Sequence, residues 1–109
     1  MTYQELLKEA GNLKILEARA RLEHYFEIVL AKPELEAAEA LLRSYFGEPI
    51  KPRGQPVSPE IAAQARAYGG VRADQTMYFH PGPNGGEFAF LWPWSDGRSI
   101  TCKIMTAKK

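Results

Sequence analysis

"YFHPGPNGGEFAFLWPWSDGRS", residues 78 to 99, carries both tryptophans and two turn signals, and its register decides which side of a sheet is core. Asn84-Gly85 is the strongest hairpin signal in the chain. A two-residue loop there sets Phe79 against Phe90 and Met77 against Trp92, and a six-residue loop, 81 to 86, keeps the same parity. Ser95-Asp96-Gly97 fits a three-residue loop with Gly97 in the left-handed region. That loop sets Trp92 against Ile100, Phe90 against Cys102 and Phe88 against Ile104. One face then reads Met77, Phe79, Phe88, Phe90, Trp92, Ile100, Cys102, Ile104, wholly apolar. A two-residue Asp96-Gly97 loop would instead mix the rings with Thr101 and Lys103, because a one-residue slip exchanges the faces of a strand. The apolar solution is the expected one, with three strands at about 75 to 80, 87 to 94 and 98 to 106.

Outward from this stretch, the N-terminal half has helical spacing. Thr2 with Glu5 has the form of a capping box. Leu6, Ala10, Leu13 and Leu16, then Ile15, Ala18, Leu22, Phe26 and Val29, recur at helical intervals, with Gly11-Asn12 where the stripe rotates. Pro33 starts a second helix, with Leu35, Ala38, Leu42 and Tyr45 as its stripe and Gly47 at its end. The segment "GEPIKPRGQPV" cannot be helix or inner strand. Ser58 and Pro59 open a short third helix ending at Gly69-Gly70, with Ile61, Ala65 and Tyr68 on its buried side. Helices followed by strands predict an α+β fold. Residues 1–109 form one domain: a helical hairpin over 1–47, a Pro/Gly-rich linker over 48–57, and a short helix plus a three-stranded antiparallel meander over 58–109. The hairpin roofs the aromatic row.

Composition narrows the function classes. Charged residues make up 25% and the net charge is +1, so no strong polyanion affinity is implied. Residues 1–48 carry six Lys/Arg and nine Asp/Glu, and the remainder carries eight and four, a mildly basic C-terminal half. A lone cysteine, Cys102, excludes an internal disulfide, and two histidines without ligand spacing predict no metal and no cofactor. No apolar run is long enough to span a membrane. The charged start "MTYQELLKEA" does not have the form of a signal peptide, and a cytoplasmic location is expected.

The expected partner surface is the second sheet face: Tyr78, His80, Leu91, Thr101, Lys103 and Met105, covered by the third helix or by a partner. These residues predict a small non-catalytic protein-interaction module, docking a protein partner or a second copy of itself. One alternative is a nucleic-acid-binding domain using Lys51, Arg53, Arg72, Arg98 and Lys103. The other is a small enzyme using His80 with Glu87, an imidazole beside a carboxylate. "GPNGG", 82 to 86, joins two strands, not a strand and a helix, so it predicts a turn and not a phosphate loop. "FAFL", 88 to 91, resembles the middle of the aromatic strand motif of RNA-recognition domains, which would expose Phe88 and Phe90 for stacking. Gly86-Glu87 and Pro93 depart from that motif.

Overall fold

The first helix forms as its cap predicts. In the computed structural model, which describes residues 1–82 and 85–107, α1 spans Tyr3–Gly11. The Thr2 hydroxyl accepts from Glu5 N, and Glu5 returns the bond to Thr2 N at 2.8 Å. Asn12 N donates to Glu9 O and the helix stops there. The helical spacing beyond this point is overridden. Residues Ile15–Arg21 form β1 and Tyr25–Ala31 form β2, paired antiparallel. The expected helical hairpin over 1–47 is therefore corrected to helix, strand pair, helix.

Two physical reasons lie behind that correction. β2 is an inner strand, rich in aromatic and β-branched residues, and buried on both sides at Phe26, Ile28, Val29 and Leu30. A strand buried on both faces loses its period of two and cannot be told from a helix by spacing alone. The turn at Glu23-His24, closed by Leu22 N donating to Tyr25 O at 3.0 Å, holds none of the Gly, Asn or Asp residues that mark a hairpin.

A short 3-10 turn at Lys32–Glu34 leads into α2, Leu35–Phe46. The Pro/Gly-rich stretch then runs along the outer side of β3 (Thr76–His80), where Lys51 and Met77 exchange backbone hydrogen bonds. Ser58 caps α3, Pro59–Ala65, by accepting from Ile61 N at 3.2 Å, and a 3-10 turn extends it to Tyr68. β4, Glu87–Pro93, and β5, Ser99–Thr106, follow. The fold is α+β, and among the described residues it has three α-helices and one five-stranded antiparallel sheet in the order β1-β2-β5-β4-β3. The expected meander is its β3-β4-β5 part, and β2 pairs along the free side of β5.

The register also departs from expectation. Phe79 pairs with Phe88 and Met77 with Phe90, the alignment of the six-residue loop. Pro83 and Asn84, and with Asn84 half of the Asn-Gly signal, lie outside the described residues. On the next turn the parity flips: Trp92 pairs with Thr101, Leu91 with Cys102 and Phe90 with Lys103. The cause is a four-residue loop. Trp94 N donates to Ser99 O, Gly97 N donates to Trp94 O, and Gly97 sits at φ 71. Asp96 Oδ1 accepts from Arg98 N and tightens it.

The sheet is thus a sandwich filling with helices on both sides. Against α1 and α2 lie Phe26, Ile28, Leu30, Tyr78, Leu91, Ile100, Cys102 and Ile104. Against α3 lie Met77, Phe88, Phe90 and Met105, with Phe79 and Trp92 partly buried. The aromatic row is core, but its roof is α3 with Ile61, Ala65 and Tyr68, not the first two helices.

Candidate functional site

The flipped register redistributes the expected partner surface. Tyr78 and Leu91 are buried against α1 and α2, Tyr78 beside Phe46. Thr101, Lys103 and Met105 belong to the opposite face, where Thr101 and Met105 are buried. His80 is half exposed at the end of β3. The six residues therefore do not form one exposed patch, because the slip placed them on two faces and helices cover both.

Lys103 is brought somewhere the sequence did not indicate. β2–β5 pairing sets it across from Glu27, and the 3-10 turn after α3 crosses above. Its ammonium lies 3.8 Å from the centroid of the Trp92 ring and 5.9 Å from that of Tyr25. Among the described residues it makes no ion pair. Burial, with Arg19 nearby, pulls its pKa below the ordinary value, and Glu27 opposes that shift. Glu27 itself is engaged elsewhere: the Tyr25 hydroxyl donates to it, and Arg19 Nη1 is 3.5 Å away. The main chain approaches the Trp92 ring at Gly69, φ 99, where a Cβ would stand 3.1 Å from the indole edge.

Beside this lysine opens a cleft of about 550 Å³ between the sheet and the turn after α3. Lys103, Met105, Tyr25, Tyr68, Gly69 and His24 are among its lining residues. The Tyr68 ring is backed by Phe88, with centroids 4.4 Å apart. The His24 ring is steadied by Nδ1 at 3.1 Å from the Thr106 hydroxyl. Sequence reasoning missed Tyr25, Tyr68 and His24 as neighbours because their meeting depends on the β2–β5 pairing. The aromatic and β-branched run "YFEIV" at 25–29 was the signal available for it.

His80 and Glu87 do face each other across β3 and β4, with Nδ1 at 3.6 Å from Oε1. That oxygen also accepts from the Tyr45 hydroxyl, so the carboxylate ties α2 to the sheet. Burial holds the Tyr45 phenol well above its usual range, and the Tyr3 phenol likewise, with Glu87 adding to both. Cys102 is buried and its thiol is pushed up to about 12, which keeps it protonated and not nucleophilic.

The basic residues are scattered. The Lys51 ammonium points inward and donates to the carbonyls of Ala73 and Gln75. Arg72 Nε lies 3.7 Å from Asp74, and Arg53 is exposed in the same border segment. Arg98 belongs to the β4–β5 loop, and Lys103 to the cleft. Among the described residues no group of three or more His, Cys, Asp or Glu could hold a metal ion, and no helix is long and apolar enough to cross a membrane.

The two sheet edges differ. β3 is covered by the Lys51 segment, whereas β1 has a strand neighbour on one side only. Leu16 and Leu22, on and just after β1, are 62% and 66% exposed. Trp94, 36% exposed, has the Arg19 guanidinium 5.5 Å from its ring centroid. Compared with known protein families, curated proteins and solved structures, the chain matches none.

Proposed function

We propose that the chain is a non-catalytic interaction module that pairs with a second copy of itself along the outer edge of β1. The observation that carries this reading is the asymmetry of the edges: one is closed by the chain's own linker, and the other is open beside exposed leucines. An open strand edge offers unpaired backbone donors and acceptors to another strand. The side chains of β1 select which strand. In an antiparallel pair centred on Ala18, Glu17 of each copy meets Arg19 of the other. Within one copy Arg19 Nε lies 3.2 Å from Glu17 Oε2, and the pairing would exchange that exposed ion pair for two between copies, while a strand with like charges at these positions would be repelled. A two-fold pairing of this kind closes on itself, and the covered β3 edge stops further growth.

Sedimentation velocity tests the reading. Wild-type protein at tens of micromolar should run as a dimer, and Leu16→Glu as a folded monomer. Arg19→Glu alone should weaken the dimer, and adding Glu17→Arg should restore it. A wild-type chain that stays monomeric at millimolar concentration overturns the proposal.

A further inference from the structure

We propose that the cleft beside Lys103 is a binding site for a small organic carboxylate with a flat apolar body. Three features point to that class of ligand. The first is a cation that makes no ion pair among the described residues. The Lys103 ammonium rests on the Trp92 ring in a partly desolvated place, and Glu27, the carboxylate opposite, is occupied by Tyr25 and Arg19. An ammonium there gains from an incoming carboxylate more than an exposed one would, because less water is displaced and the field is less screened.

The second is the shape and lining. At about 550 Å³ the cleft lies within the range of small-molecule pockets, and its lining includes two phenol rings, Tyr25 and Tyr68, and Met105. Flat rings of this kind suit a planar ligand, and Phe88 fixes the ring of Tyr68 from behind. The third is a polar group in the lining. Thr106 engages His24 at Nδ1, which leaves Nε2 to meet a second oxygen of the acid.

The test uses the whole chain and matched probes: benzoate against benzamide, and cinnamate against cinnamamide, followed by backbone-amide NMR. The acids should shift the amides of Tyr25, Tyr68, Gly69 and Lys103 and bind at least roughly tenfold tighter than the amides. Lys103→Met, which keeps the side-chain stem, should abolish the preference for acid while leaving amide binding unchanged. Should that variant fail to fold, the acid-against-amide comparison on the wild-type chain decides alone, with His24→Ala as the second variant, expected to weaken the acids selectively. Equal binding of acid and amide, shifts that map away from the cleft, or no shifts up to the solubility limit would each overturn the assignment. So would tighter binding of a polyglutamate peptide than of cinnamate, which would make the occupant a protein segment. Leu16→Glu leaves Arg19 on Glu27 and should leave acid binding intact, so the two readings are tested by different variants.

Discussion

Lys51 is the one charged side chain buried among the described residues, 1% exposed. Its ammonium is held by two carbonyls of the segment that precedes β3, and burial lowers its pKa. Lys51→Met removes those donors and strands the acceptors, at an expected cost of about 1–3 kcal/mol. Urea denaturation measures it, and an unchanged midpoint would mean that water replaces the ammonium freely. The tyrosines set the alkaline limit. Tyr3, Tyr25, Tyr45 and Tyr78 all hold their protons above the ordinary 10.0, first because burial disfavours the phenolate. Tyr25 and Tyr78 are each pushed up to about 12. Above pH 10 the folded chain therefore binds more protons than the unfolded one, and stability present below that pH is lost as pH rises toward 12. Lys51 and Lys103 act the other way, adding stability only as pH climbs toward their unfolded value of 10.5. Cys102, raised from 9.0 to about 12, acts in the same sense as the tyrosines from a lower pH, so urea midpoints should begin to fall above about pH 9, with the two lysines offsetting part of the loss.

At the scale of elements, the β4–β5 turn matters most, since it decides which residues meet. Deleting Ser95 would shorten a four-residue loop to three and reverse the parity of β5 against β4. Lys103 would then turn toward α1 and α2, and the variant should lose its dispersed amide spectrum. A well-folded deletion variant would show that the turn follows the register and does not set it. Phe90→Ala, within the α3-covered layer, should cost about 3–5 kcal/mol by thermal or urea unfolding. The elements differ in how plainly the sequence announces them. The Thr2–Glu5 cap, the Ser58-Pro59 start and strands β3 to β5 have local chemistry that only one structure satisfies. β1 and β2 do not: Ile15, Ala18, Leu22, Phe26 and Val29 fit a helical stripe as well as a strand pair, and only the tertiary pairing with β5 decides. The second turn misleads for a different reason: Ser-Asp-Gly suits the three-residue loop that makes one face wholly apolar, whereas the observed pairing has the parity of the two-residue alternative, and helices on both sides of the sheet remove the need for one apolar face. Among the candidate site residues, Lys103 and Met105 were legible as a pair on one strand face. Their neighbours Tyr25 and Tyr68 come from elements whose placement is not local.

On the scale of the whole molecule, the sheet binds two distant parts of the chain. Tyr25–Ala31 pairs residue by residue with Ser99–Met105, so the longest contacts in the sheet are also its central ones. Contacts of that separation carry a large loop-closure cost and slow folding. Stopped-flow refolding should therefore be single-exponential and slow for a chain of this size, and a variant that weakens β2–β5 packing, such as Ile28→Ala, should slow it further. Faster refolding of that variant would contradict the expectation. One consequence concerns the order in which the chain is made. The central strand, β5, is synthesised after the four strands it joins, so until it emerges β2 and β4 each lack their inner partner. A chain cut before Ser99 should therefore fail to fold, and its amide spectrum should collapse to the dispersion of an unfolded polypeptide.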